Sequence, residues 1–412
     1  MVTSGTSPYD QLNRWFVRLT FAAPAALGSI GSALIFGGGL WAIGAVISRK
    51  VPMRRDRVMM ALAVPICAFG AAYLMAFFVN GGGPRQAYYL IQLGPLLLFP
   101  FIYSSLAVSD KELIAAASIA GSAVACYAAF LFACFEVVFT TGRAEGMGGN
   151  PIIFAQVTCM ATLLALAGTF FVNRGYVPLL VAAYFAGIIA LVPSGSRTSW
   201  VAIAVGTVVV LISNRRALAG TFSRRGVLIS GAVALAIGAA SVGIVAERVQ
   251  ALRDDWSKVG QPNHESSLGI RIGLWRFGSE IVRDNPLFGI GPQNSRARME
   301  VDLPKSVGIE FASTHYHNGL LTASVEAGLL GGLALCAIFV AALVIALRGS
   351  HRPTAQEIFG RSMLVATVTV YVIGGMTGIL FGHDLLDAVL MLHLATGAYL
   401  AEGSDPVRDA SG

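Results

Sequence analysis

Runs of about twenty apolar residues, each long enough to cross a bilayer, recur along the whole of this chain. No soluble fold has an interior large enough to bury that many. Only 12% of the residues are charged, against about 25% in an ordinary soluble domain. In lipid every backbone N–H and C=O must be satisfied within the segment, so such runs fold as helices. The fold class expected is all-α: a polytopic transmembrane helical bundle forming a single membrane domain over residues 1–412. No internal repeat is visible.

The apolar runs place spans at roughly 58–79, 88–108, 113–140, 152–172, 177–193, 198–213, 226–246, 316–347, 362–381 and 385–401. The first stretch, 15–48, is long for one span and is interrupted by Pro24, Gly28 and Ser29. Read as one tilted helix or as two short ones it brings the total to 11 or 12, and Arg14 and Arg18, which prefer the cytoplasm, favour two passes and 12 spans. A cleaved signal peptide over 15–28 fits poorly, because the apolar run continues through 31–47 without a polar start.

The net charge of +7 invites a nucleic-acid reading. Its distribution argues against one, because the basic residues sit in short loops between spans. Loops 49–57, 109–112, 173–176, 214–225, 348–361 and the tail hold 15 Lys and Arg; the alternate short loops 80–87, 140–151, 194–197 and 382–384 hold 3. The richer set is expected in the cytoplasm. The long polar segment 247–315 then faces outward, with Arg197, His315 and His317 on the same side. This segment carries 9 Lys and Arg and 9 Asp and Glu, so position rather than bulk charge must explain its arginines.

Within it, Ser266–Asp284 has the pattern of an amphipathic helix, capped by Ser266 or Ser267 and ended by Asn285-Pro286. Leu274, Phe277 and Ile281 form one stripe, while Arg276 and Arg283 share another face. A helix of this kind can lie along a membrane surface. Arg271 falls elsewhere on it and can point toward the membrane domain. The turn Gly289–Ser295 is glycine-rich, but with no strand before it this is not a dinucleotide fingerprint.

Arg197 stands between two short spans, preceded by the small residues Ser194, Gly195 and Ser196. An arginine at that depth needs a partner or a wet cavity. Small neighbours let a large anionic group approach, and Thr198 or Ser199 can cap the next helix so that its free N–H groups face the same anion. His317 opens the following span. If the helix begins there, positions 317, 321, 324, 328 and 331 share one face, and the Ser324/Gly328 pair permits close packing. Two histidines at a membrane surface suit proton chemistry near neutral pH, with His315 the neighbour of the key group. Glu326, deep in the span, reads as structural. Glu136, His383, Asp384, Asp387 and His393 also lie in or near spans, with nothing to place them. The five cysteines all fall in apolar runs, which argues against disulfides and a cysteine metal site.

These stretches resemble the O-antigen ligase and polymerase superfamily. The matching elements are Ser196-Arg197-Thr198; Arg271 and Trp275 ahead of Asn285–Gly291; and His315–Asn318 followed by Glu326–Gly331. Pro24–Ser29 also looks like a short turn of this family. The motifs cover 194–331, and the span pattern extends the likeness over the chain. The resemblance implies a membrane glycosyltransferase of the bacterial inner membrane with its site facing the periplasm. It would take its glycan from a polyprenyl (undecaprenyl) diphosphate donor, with no metal and no other cofactor. Arg197 and Arg271 would bind the donor diphosphate, and His317 would accept the acceptor's proton or orient its hydroxyl, with an Asp or Glu base as the alternative to His317. His315, Asn318, Arg276 and Ser196 are supporting candidates. Transfer onto lipid A–core, as by a ligase, is the leading reading. Polymerisation of lipid-linked repeat units is the alternative, and these motifs do not encode the acceptor. A transporter or flippase coupled to protons through Glu326, Asp384 and Asp387 is the rival of another class; the absence of repeats counts against it.

Overall fold

A computed structural model describes residues 8–140, 142–222, 224–257, 267–307, 315–348 and 353–403. The regular structure of these residues is helical throughout: α1 (Pro8–Leu27), α2 (Ser29–Ile47), α3 (Arg57–Val79), α4 (Pro84–Gln92), α5 (Gly94–Leu97), α6 (Phe99–Leu106), α7 (Lys111–Phe139), α8 (Pro151–Gly168), α9 (Val177–Ser194), α10 (Arg197–Ser213), α11 (Arg215–Thr221), α12 (Arg224–Ser257), α13 (Ser267–Asp284), α14 (Asn294–Val307), α15 (Gly319–Leu347), α16 (Ala355–Gly375) and α17 (Asp384–Ala401). Among the described residues, nine helices are long and apolar enough to cross a membrane, and the shorter Arg197–Ser213 is apolar as well.

Local chemistry sets many of the boundaries. Asp56, Asp110, Asn150, Asn318 and Thr354 each accept a backbone N–H in the first turn of the helix they precede. Such caps stabilise a helix by about 1 kcal/mol each. The stretch 15–48 is two helices, which meet at Gly28 (φ 56). The run 88–108 is not one helix, as its apolar pattern suggested, but the three pieces α4, α5 and α6. Pro95 and Pro100 stand at the starts of α5 and α6, where a residue without an N–H begins a helix and cannot continue one.

Burial orders the bundle. The apolar windows of α8 and α17 are 89% and 94% buried, so these two helices form the centre. The matching window of α12, Arg224–Gly243, is 0% buried, which puts that helix at the periphery.

The segment between α12 and α15 differs from the expected outline. α12 continues as helix to Ser257, so residues 247–257 are not loop. The amphipathic helix begins at Ser267; Ser266 lies outside the described residues. Its stripe does not spread over a membrane surface. Leu274, Phe277 and Ile281 pack with Met299 and Leu303 of α14, and with Tyr316 and Val325, into a second, smaller core. The stripe that would suit an interface is satisfied by protein instead, because α14 supplies a complementary apolar face.

Candidate functional site

The site is held together by a break in a membrane helix. α15 is interrupted at Ala327 (φ −125, ψ 18) and Gly328 (φ 67, ψ −171). The interruption frees the carbonyls of Val325 and Glu326, which accept from Ile290 N (2.8 Å) and Gly291 N (3.0 Å), while Leu329 N donates to Pro286 O (2.8 Å). The Asn285–Gly291 turn is thereby stitched into the broken helix. Two glycines from two distant motifs serve this one junction. A Cβ at Gly328 would stand 2.0 Å from Leu287 O, and one at Gly289 2.2 Å from Val325 O. Neither is tolerable against backbone.

Glu326 closes the junction. It is 1% exposed. One carboxylate oxygen accepts from Gln293 N (3.2 Å) and Ser295 Oγ (3.5 Å), the other from the Tyr73 hydroxyl of α3 (3.2 Å). Gln86 on α4 donates to Asn294 Oδ1 (2.8 Å). A buried carboxylate with this many donors ties α3, α15 and the turn together, the structural part that its position in the sequence suggested.

A cavity of about 140 Å³ is lined by Arg143, Arg197 and Arg271 together with Ser196, Thr198 and Thr377. Arg197 is the first residue of α10, and Ser196 takes the N-cap position. The expected capping by Thr198 or Ser199 is therefore displaced by two to three residues. Those side chains bond elsewhere: Ser196 Oγ with Ser199 Oγ at 2.9 Å, and Thr198 Oγ1 with Thr377 Oγ1 at 2.6 Å. The N-terminus of α10 thus opens at the cavity. Arg143 is held by its Nε donating to Ser194 O (2.6 Å). Its loop is fixed where Glu136 accepts from Glu145 N (3.0 Å) and Gly146 N (3.1 Å), which commits that carboxylate to structure. Three guanidinium groups and a helix N-terminus around one small cavity favour a multiply charged anion with several acceptor oxygens.

Sequence reasoning missed Arg143. A signal for it existed: it is one of only three basic residues in the short loops on the sparsely charged side, and Arg197 is another. Positive charge on the disfavoured side asks for a reason.

The two histidines adjoin Arg271. His317 is not the first residue of a helical face. Asn318 is the N-cap of α15, its Oδ1 accepting from Leu321 N (3.0 Å), so His317 precedes the helix at φ 49. The break at Ala327–Gly328 also separates 317, 321 and 324 from 328 and 331. A left-handed backbone at a non-glycine residue is uncommon and marks a position held by its surroundings. Here Tyr316 is buried, and its N–H donates to Thr322 Oγ1 (3.3 Å). The rings of His315 and His317 lie 4.4 Å apart between centroids, tilted by 60°. Burial, and then the Arg271 charge, lower the basicity of His317. For His315 burial comes first, then His317 and Arg271, and the imidazole is pushed down to about 3. His315 faces a second small cavity, of about 50 Å³, with Tyr89, Gln293, Thr322, Glu326 and Gly382. The segment 377–382 walls both cavities.

The structure therefore brings together Arg197, Arg271 and Ser196 at one cavity and sets His315 and His317 side by side. Asn318 acts as a cap, and Arg276 is exposed and lines neither cavity. Among the described residues, no group of three or more His, Cys, Asp or Glu side chains is placed to hold a metal ion. The carboxylates offered for proton coupling have partners: Asp384 accepts from Ser32 Oγ (2.8 Å) and pairs with His383, and Asp387 accepts from Gly382 N (2.8 Å).

A helical membrane protein with an arginine-lined cavity and, next to one of its arginines, paired imidazoles is the class that fold and site define. The sequence model of the family described as O-antigen ligase matches residues 182–336, a segment that carries Arg197, Arg271, His315, His317 and the Gly328 break. Over that segment, which is less than half of the chain, the protein is similar to this family. Arg143 and Thr377 lie outside the segment. No curated protein matches the chain.

Proposed function

We propose that the protein transfers a glycan from a polyprenyl-diphosphate-linked donor to a hydroxyl acceptor, by direct displacement at the anomeric carbon. The observation that carries this reading is the convergence of Arg143, Arg197 and Arg271 on one cavity, with His317 next to Arg271. The donor diphosphate sits among the guanidinium groups. The acceptor oxygen attacks the anomeric carbon, the carbon–oxygen bond to the diphosphate breaks, and the electron pair leaves on the diphosphate. Charge grows on those oxygens as the bond breaks, so the arginines stabilise the transition state more than the bound donor. His317 takes the hydroxyl proton. Single displacement inverts the anomeric centre.

His317 suits the base better than His315. A general base works best with a pKa near the working pH, and His315 at about 3 is far below it. The acceptor proposed is lipid A–core, on the periplasmic face of a bacterial inner membrane, with residues 247–315 contributing the periplasmic part of the site. The sparsely charged side of the short loops supports that orientation. Reconstitution with a synthetic polyprenyl-diphosphate glycan and separate acceptors tests this reading. A lipid A–core product means ligation. A ladder of longer lipid-linked glycans means the polymerase alternative. No covalent product with either acceptor would sink the transferase reading and revive transport.

A further inference from the structure

The strap between α16 and α17, residues 376–383, lies outside the matched segment and carries no group of the proposed reaction, yet it lines both cavities. Thr377 borders the arginine cavity, and Ile379, Leu380, Phe381 and Gly382 border the one that His315 faces. The strap is tied along its length. At its start, Thr377 Oγ1 is bonded to Thr198 Oγ1 in the first turn of α10 (2.6 Å). Further on, the Phe381 ring stands edge-on to that of Tyr73, 5.6 Å between centroids at 72°, and Tyr73 is the hydroxyl that donates to Glu326. At its end, Gly382 N donates to Asp387 Oδ2 (2.8 Å). Between these ties sits Leu380, 6% exposed and seated between two glycines. A Cβ on Gly319 would stand 2.5 Å from Leu380 Cβ and Cγ, and one on Gly375 would stand 2.1 Å from Leu380 Cγ. Gly319 is the first residue of α15, directly after Asn318, and Gly375 is the last of α16.

We propose that Leu380 is a positioning residue: wedged between α15 and α16, it holds the 315–318 turn, and His317 with it, in register with Arg197. The proposal rests on the reading of His317 as the base and of the arginine cavity as the diphosphate site. His317 has φ 49, a backbone that a residue other than glycine keeps only under constraint. The Asn318 cap and the bond from Tyr316 N to Thr322 Oγ1 fix this turn to α15. The small core of α13, α14 and α15 then sets Arg271 against the histidines. Arg197 stands on α10, outside that core. The strap supplies the missing tie, because its Thr377 end is bonded to the first turn of α10 and its Leu380 side chain abuts the first residue of α15. An apolar wedge suits the task. A close-packed interior transmits displacement, and two facing glycines leave the side chain little room to slide.

The test empties the wedge and refills it from the other side. In the reconstituted full chain, Leu380→Ala should lower kcat roughly 10- to 100-fold, the effect of a reacting group misplaced by about 1 Å. Donor KM should change little, because all three arginines remain. Gly375→Ala alone should also lose activity, since its methyl meets Leu380. Gly375→Ala combined with Leu380→Ala should recover most of the lost kcat, because the new methyl takes the space of the removed Cγ and Cδ atoms. Met376→Ala, at an exposed position of the same strap, is the control and should have no effect. A second readout needs no transfer. Diethylpyrocarbonate modification of His315 and His317, mapped by mass spectrometry, should quicken in Leu380→Ala and slow again in the double variant. A raised donor KM with unchanged kcat overturns the proposal and makes the strap a wall of the donor cavity only. Lost kcat with wild-type histidine reactivity, or no recovery in the double variant, overturns it in favour of a general packing role. If Leu380→Ala does not fold, Leu380→Val should show the same split on a smaller scale, and a wild-type kcat there overturns the wedge. If the wild-type protein transfers no glycan, the transferase reading fails and the modification rates decide alone: unchanged reactivity in Leu380→Ala then overturns the positioning of the turn.

Discussion

Replacing Glu326 separates architecture from chemistry at this site. The carboxylate accepts from Gln293 N, Ser295 Oγ and the Tyr73 hydroxyl, and it is buried. In Glu326→Leu those three donors lose their acceptor. Each buried donor left unsatisfied costs about 1–3 kcal/mol, so the variant is destabilised by roughly 3–9 kcal/mol, a large part of the 5–15 kcal/mol typical of a folded domain. In Glu326→Gln the amide oxygen still accepts from Gln293 and Ser295, and the amide nitrogen can donate to the Tyr73 oxygen. The cost there is about one neutral hydrogen bond, roughly 1 kcal/mol. Thermal unfolding in detergent and transfer kinetics at matched protein levels read the two effects. Glu326→Leu should melt early and be inactive. Glu326→Gln should keep most of its stability and kcat within about tenfold of wild type, the scale of one such bond. A Gln variant that melts normally but has lost about 100-fold or more in kcat, the scale of a general base, would falsify the structural assignment and make Glu326 a participant in proton transfer.

Further outcomes follow from the same geometry. Arg143→Ala, Arg197→Ala and Arg271→Ala should each cut kcat/KM by about 10- to 100-fold, the loss of one charge-assisted contact of about 1.5–3 kcal/mol. Lysine should rescue poorly because it lacks the two-pronged fork; full activity of the lysine variants would reduce the cavity to diffuse charge. His317 must be neutral to accept a proton, and burial followed by Arg271 lowers its pKa. The acid limb of kcat should therefore have its midpoint below about 6.5, the free imidazole value. His317→Ala should remove that limb and about 100-fold of rate, and an unchanged pH profile would clear His317 of the role. Gly328→Ala puts a Cβ against Leu287 O in a backbone region reserved for glycine. It should cost at least about 1–3 kcal/mol and make the 285–295 turn protease-sensitive, whereas a wild-type digestion pattern would refute the junction. A reporter cysteine at Arg85 should label from outside intact cells and ones at Arg54 and Arg216 should not, and the inverse pattern would place the site on the wrong side for its proposed substrate.

Taken alone, the sequence determined the helical membrane class, the division of loops by charge, the interruption at Gly28, and the order of the arginine, glycine and histidine motifs. These are one-dimensional properties: apolar run length, Lys and Arg counts and turn residues act locally, so they can be read along the chain. It did not determine where the helices stop being helices. The splitting of 88–108 and the break at Gly328 lie in apolar stretches whose hydropathy is continuous. The break at Gly328 is stabilised by backbone donors from a turn nearly forty residues upstream, which no local pattern encodes. The same holds for Arg143, one basic residue in a short loop until α9 and α10 bring Ser194 and Arg197 beside it. The amphipathic stripe of α13 was legible, but its partner was not, because the same apolar face suits a bilayer or α14 and only the folded chain supplies α14. Tertiary structure decided the candidate site because an arginine-lined cavity depends on convergence of charges far apart in sequence, and convergence is a property of packing.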